Sequence, residues 1–433
     1  MVLDQTGKNI YEIVKKIFPL NRSLTGDGVR KTIDILSQSL YQCTGLRFKV
    51  HEIPSGTKVF DWVVPKEWAI SEAFIETENG NRILDFANNN LCVVGYSIPV
   101  DKWVDLDELL RIIYTQPDQP SVIPYVTSYY SERYGFCMTE EQKRSLAPGK
   151  YHIVIKSKLF DGSLTYADLV IPGDLKKEII ISSYVCHPSM ANNECSGPAL
   201  LTELAKYVKN MEQRKYTYRF ILNPETIGSI VYIANNYQLL KNNVIGGIVL
   251  SCVGDNNNYS LVHSKYGNTL SDKALLNVLK RRSCFKEYSF LERGSDERQY
   301  NSSGVDLPIV GFCRTKYHDF KEYHTSGDDL SFVSAEGFSG SYSAITEWIQ
   351  IIEKNEKYCM SVCCEPQLGK RGLYPTISKK GSYDNVKAMM DFIAYADGKN
   401  DLIDISNIIG VPAVDLISIV DKLIENGLIK PRE

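Results

Sequence analysis

The second half of the chain contains several short, continuously apolar runs. Glu178-Ile-Ile-Ile-Ser-Ser, Tyr218-Arg-Phe-Ile-Leu, Gly247-Ile-Val-Leu-Ser and Leu307-Pro-Ile-Val-Gly are each too short for a helix and lack the polar alternation of a half-exposed strand. Segments with helical spacing, such as 198–208 and 230–240, lie between them. Strands that are apolar on both faces and alternate with helices predict an α/β domain, its sheet sandwiched by helices. This pattern also says where to look for a site, because ligands of an open α/β sheet bind just past the carboxyl ends of its strands.

At 433 residues the chain has room for two or three domains. Ile10, Ile13, Val14 and Ile17 follow helical spacing up to Pro19. Thr25-Gly-Asp-Gly then opens a second helix carrying Val29, Ile33 and Leu36. From about His51 the texture changes to short β-type runs, among them Phe60-Asp-Trp-Val-Val-Pro, Ala73-Phe-Ile-Glu and Leu91-Cys-Val-Val-Gly-Tyr. Tyr151-His-Ile-Val-Ile-Lys and Leu164-Thr-Tyr-Ala-Asp-Leu-Val-Ile alternate with period two, as half-buried antiparallel strands do. The predicted organisation is therefore an α/β domain made of 1–50 and 173–375, a mostly β inserted domain at 51–172, and a helical end at 380–433. In that end 386–395 reads as one helix. Segments 403–409 and 413–425, split by Gly410-Val-Pro, read as helix-turn-helix, and Asn426-Gly-Leu-Ile-Lys resembles the strand that follows in a winged helix.

A net charge of -3 gives no bulk field for nucleic acid or an acidic membrane. The winged-helix end is more acidic still: from 381 to 433, five Lys and Arg face nine Asp and Glu, a net of -4. A DNA reader must neutralise phosphates, so a packing or homo-oligomer role is expected for this end rather than nucleic-acid binding. No apolar run approaches the roughly 20 residues of a membrane span, and the first residues lack the basic start and apolar core of a signal peptide. Eleven Cys without a C-x-x-C pair predict reduced thiols and a cytoplasmic protein.

The strand ends deliver chemistry to one rim. Cys186-His187-Pro188-Ser189 follows the first run, Asn223-Pro224-Glu225 the second and Gly254-Asp255 the third. The fourth is followed by a loop with His318 and Glu322-Tyr323-His324-Thr325. A lone histidine at a strand end is as a rule a satisfied structural group. Two imidazoles with carboxylates form a ligand set for a divalent ion, and two imidazoles favour zinc. His51, His152, His263 and His318 are read as structural, and Cys186 and Cys195 as packing residues.

The stretches His187-Pro-Ser-Met-Ala-Asn-Asn-Glu-Cys-Ser-Gly197, Pro224-Glu-Thr-Ile-Gly-Ser229, Gly294-Ser-Asp-Glu-Arg-Gln-Tyr300 and Glu322-Tyr-His-Thr-Ser-Gly-Asp-Asp329 together resemble the zinc-dependent aminopeptidase superfamily. Trp62-Val-Val-Pro65 and Tyr96-Ser-Ile-Pro-Val100 resemble a bacterial aminopeptidase-like family with an inserted β domain and a C-terminal winged helix. The resemblance spans essentially the whole chain. It implies a zinc-exopeptidase-like sheet and a metal-dependent hydrolase of a short peptide or an amide-bearing small molecule, with the insertion narrowing the site. It implies His187 and His324 as metal ligands and Glu225 as general base or as a ligand. Asp296 would be an orienting carboxylate, and Arg298, Tyr317 and Tyr323 would line the substrate cleft. Two departures stand out. Asn193 occupies the position of an Asp that bridges two metals, and Ser251 replaces another Asp ligand, with Asp255 four residues later. A ligand set of His187, Asn193, His324 and Asp255 carries little negative charge, so one zinc per chain is expected. The alternative is a catalytically weak relative that binds such a ligand or acts as a scaffold.

Overall fold

The computed structural model describes residues 2–129, 131–374 and 384–432. The expected junction at 375–380 lies outside the described residues. Eight strands form one mixed sheet in the order Lys49–Pro54, Ser163–Ile171, Thr217–Asn223, Glu178–Tyr184, Val244–Leu250, Ile309–Cys313, Tyr259–Val262, Phe285–Tyr288. The four strands from Thr217–Asn223 to Ile309–Cys313 run parallel. Antiparallel pairings attach the flanking strands on either side.

The continuous apolar runs mark a sheet buried twice. Ile179, Ile181, Phe220, Leu222, Ile248 and Leu250 pack into the core on one face. Their neighbours Ile180, Ile221 and Val249 pack into the core on the other. Each fully buried side chain of this size contributes about 1.5–3 kcal/mol, so neither face tolerates polar alternation. Val2–Ile17, Asp27–Thr44, Ser196–Lys209, Leu270–Leu279 and Ala335–Lys354 cover the first face. Ile227–Asn243 covers the second.

The stretch read from sequence as one insertion divides. Lys49–Pro54 and Ser163–Ile171 pair with each other, and the latter joins the edge of the large sheet through Thr217–Asn223. Period-two alternation cannot tell which sheet a strand joins. Between them Arg82–Asp85, Glu67–Thr77, Lys150–Phe160 and Val100–Asp105 make a separate four-stranded sheet. Its own core includes Ala73, Ile75, Val104, Ile153 and Ile155. The run at 91–96, expected as a strand, instead starts as a single tight turn, Asn90–Cys92. The Asn89 side chain accepts the Leu91 N–H at 2.9 Å, a local bond that competes with strand pairing.

The C-terminal end is a winged helix. Its small sheet joins Lys357–Met360, Asp397–Asp401 and Ile429–Pro431, so its first strand precedes the residue-380 start read from the sequence. Leu402–Ile409 and Ala413–Glu425 meet at 115°. Asp401 caps the first of these helices and Gly410, at φ 71°, ends it. Among the described residues no single helix is long and apolar enough to cross a membrane. The eleven cysteines are all unpaired.

Candidate functional site

His187 follows the strand Glu178–Tyr184 and is buried. Its Nδ1 is hydrogen-bonded to Glu194 Oε2 at 3.0 Å. That contact holds the ring with Nε2 toward Glu225, whose Oε2 lies 3.8 Å away. Glu194 comes from a wide, π-type turn, Ala191–Cys195, that leads into the helix Ser196–Lys209. Arg22, also buried, stands 3.6 Å from the other Glu194 oxygen and donates to the His187 carbonyl at 2.9 Å. Burial pushes Glu194 up to about 8 against the pull of Arg22. Burial, aided by Arg22, lowers His187 to about 3, so the imidazole is neutral.

Glu225 sits at the end of Thr217–Asn223, on a turn where Thr226 has φ 65°. A non-glycine residue at positive φ stores strain and persists only where its surroundings hold it. Asp296 does the holding. It accepts from the Thr226 N–H at 2.7 Å, Asn223 Nδ2 at 2.9 Å and Ser229 Oγ at 2.9 Å. Ser295 Oγ donates to Glu225 Oε1 at 3.0 Å, leaving Oε2 toward His187. Burial raises both carboxyls, and the charge of Asp296 raises Glu225 further. Asp296 therefore supports the Glu225 turn from beneath and does not line the cavity.

His324 also has positive φ, 55°. Its ring lies 5.3 Å from that of His187 and stacks on Tyr323 at 3.9 Å. Its Nε2 is buried without a partner among the described residues, and burial lowers its pKa to about 2. Its carbonyl accepts the Tyr125 N–H at 2.9 Å, and Pro124 bridges to Thr325, which docks the 123–127 loop against the site. The Tyr125 ring contacts both imidazoles, at 5.3 and 5.2 Å. The resulting cavity of about 490 Å³ is lined by His187, Glu225, His324, Arg298, Tyr125 and Tyr129, among others. A larger cleft of about 910 Å³ beside the small sheet touches Ser189 and Ser326, but its Glu72, Arg82, Asp85 and Lys156 pair with one another.

Other expected site residues lie elsewhere. Asp255 does not reach the cavity. It accepts from Asn192 Nδ2, Asn257 N and both the N–H and hydroxyl of Thr315, so both its oxygens are engaged in fixing loops. Asn193 does not line the cavity. Its Nδ2 donates to the Tyr184 hydroxyl at 3.1 Å, which pairs with Ser251 Oγ at 2.6 Å, and its buried Oδ1 has no partner. Tyr317 is buried and donates to Glu297 at 2.7 Å, outside the cavity. Tyr323 acts as a platform for His324. Only Arg298 of the expected lining residues lines it. Glu194, Arg22, Ser295 and Tyr125 were not singled out by sequence. Glu194 had a signal, a carboxylate inside the first ligand segment. Tyr125 had none, since it arrives through the bridge of Pro124 to Thr325, distant in the chain.

The sequence matches, over residues 11–355, a family described as a domain of unknown function (DUF4910). The chain belongs to the DUF4910 family. Residues 357–431 match a winged helix-turn-helix family, so both parts of this DUF4910 chain are recognised separately. A relative from Clostridium acetobutylicum, named for polysaccharide biosynthesis and an aminopeptidase-like domain, is 43% identical over 407 residues, 93% of this chain and 91% of that protein. A crystal structure from the same organism, named as that of a peptidase, has TM-score 0.92 and 40% identity, covering 99% of this chain and 97% of the other. BSAP, a zinc aminopeptidase from Bacillus subtilis, has TM-score 0.58 at 12% identity, covering 79% of this chain and 94% of that one. A peptidase M28 precursor from Shewanella amazonensis has TM-score 0.56 at 12% identity, covering 84% and 98%. The fold of this DUF4910 member is thus that of the zinc aminopeptidases.

Proposed function

We propose that this chain is a zinc-dependent, aminopeptidase-like hydrolase of a short peptide or an amide-bearing small molecule. The observation that carries the reading is the meeting of His187 Nε2 and Glu225 Oε2, 3.8 Å apart, beside the His324 ring in one cavity. The residues suit zinc. Both imidazoles are neutral, His324 Nε2 is a buried nitrogen without a partner among the described residues, and Glu194 orients His187 as carboxylates orient metal-bound histidines. Cys186, His187 and Glu194 also cluster closely enough for an ion. That face of His187 is already used by the Glu194 hydrogen bond, and burial holds the Cys186 thiol protonated. The Nε2 face is the better place.

His187 and His324 would hold the cation, which when bound supplies polarisation of the amide carbonyl and acidification of water. Glu225, whose Oε2 faces His187 Nε2, would take the proton; burial raises its pKa, and a bound cation would oppose that rise and favour the carboxylate. Ser295 anchors one of its oxygens so that the other does this work. Tyr125 and Tyr129 line the cavity and would restrict water and large substrates.

Asn193 and Ser251, both neutral, support one cation rather than two. In zinc-loaded protein, metal analysis should give one equivalent per chain. Glu225→Gln should lower hydrolysis of any cleaved amide by about 10²- to 10⁴-fold while zinc content and melting temperature hold. Two equivalents, or activity that survives Glu225→Gln, would remove the assignment. The same neutral residues favour a second reading, a weak or inactive relative that binds an amide-bearing ligand. The name of the Clostridium relative points that ligand toward polysaccharide biosynthesis. An absence of metal-dependent turnover across peptides, aminoacyl amides and N-acyl sugars would favour it.

A further inference from the structure

Arg298 stands apart from the buried arginines of this fold. Arg22 binds two carbonyls, a thiol and Glu194. Arg219 forks onto Glu178 and reaches Asp168 and Tyr232. Arg314 is bound by two carbonyls and Asn256. Arg298 makes one side-chain hydrogen bond among the described residues, from Nη2 to Thr226 Oγ1 at 2.5 Å. Its Nε is buried with no partner, and it has no ion pair among the described residues. A guanidinium in a cleft with free donors on a rigid fork is suited to a planar anion.

Its location gives these donors their significance. Thr226, which anchors it, belongs to the strained turn that presents Glu225, so Arg298 is held at a fixed place relative to the reacting groups. Glu225 is the one carboxylate among the described residues lining the cavity. Glu194 is committed to His187 and Arg22, and Asp296 to three donors. A free substrate amine would meet only the proposed base, whereas a carboxylate would meet Arg298. Leu24, Trp62 and Ile227 form an apolar wall nearby.

Resting on the hydrolase reading above, we propose that the cavity selects an amide bearing a carboxylate, with Arg298 as its receptor. The class is N-acylated amino acids or the carboxyl end of a short peptide, not amides with a free amine and a neutral end.

The test reads binding, so it stands apart from turnover. Zinc-loaded Glu225→Gln protein is titrated calorimetrically with N-acetyl amino acids, their primary carboxamides, and free-amine amino acid amides. The carboxylates should bind at least about tenfold more tightly than their carboxamides. The gap should vanish in Arg298→Gln and persist in part in Arg298→Lys, with melting temperature and zinc content unchanged. Equal binding of acid and carboxamide, preference for the free amines, or no binding of any carboxylate overturns the proposal. So does a preference that survives Arg298→Gln with zinc retained, which would put the carboxylate on the metal. If the carboxylate preference holds while wild-type protein hydrolyses nothing, the hydrolase reading fails and this one stands.

Discussion

His187 uses its two nitrogens differently, and that division organises the site. Nδ1 is hydrogen-bonded to Glu194 while Nε2 faces Glu225. Replacing the Glu194 carboxyl with an amide of the same shape should weaken its hold on Nδ1 and loosen the ring. Glu194→Gln is expected to weaken zinc binding by about 10- to 100-fold in chelator competition, with the fold intact by circular dichroism. Asn193 offers the opposite change. Its Oδ1 is buried and unpartnered, so Asn193→Asp places a charge where nothing neutralises it. The variant should melt at a lower temperature than wild type in chelator, and bind zinc more tightly. Unchanged affinity would mean that Asn193 lies outside the metal's reach.

At the level of elements, the helix-turn-helix looks inward. Ala413, Leu416, Val420 and Leu423 bury one face of the second helix. Its first residue, Ala413, donates its N–H to Asn277 Oδ1 at 3.1 Å, and Asn277 Nδ2 donates to Ser406 at 2.9 Å. Asp421 pairs with Lys354 at 2.7 Å and Asp404 with Lys273 at 3.4 Å. The start of such a helix is the part that reads bases in a DNA-binding relative. Here that end meets the α/β body, and part of the acidity counted in the sequence faces basic residues of that body. No shift of a labelled duplex is therefore expected at about 150 mM salt in an anisotropy titration. Saturable binding that falls steeply with salt would contradict this.

Across the whole molecule, stability should depend on pH at the far edge of the large sheet. His263 follows Tyr259–Val262 and lies between Asp272, at 2.7 Å, and Glu287, at 2.7 Å. The hydrogen bond to Asp272, then that to Glu287, raises its pKa above the usual 6.5, against partial burial. A raised folded-state pKa stabilises fully below the unfolded value, and this stabilisation is lost as pH climbs through the folded one. His263→Gln should therefore lower the melting temperature at about pH 6, and the two proteins should converge by about pH 9. A constant difference across that range would mean that the histidine acts by packing alone.

The sequence by itself determined the buried sheet, because runs such as Ile179-Ile-Ile must hide both faces. It also determined the two C-terminal helices split at Gly410, and the strand ends that carry His187, Glu225 and His324. These signals are local: periodicity, turn chemistry and position after a strand. Tertiary structure alone decided the rest. It set which sheet Ser163–Ile171 joins, that Asp255 spends its oxygens on loops, that Asp296 braces a turn, and that Tyr125 meets both imidazoles. A carboxylate or tyrosine has the same local sequence signature whether it faces a ligand or a backbone amide. The choice is made by partners distant in the chain, which only the folded arrangement brings within hydrogen-bonding reach.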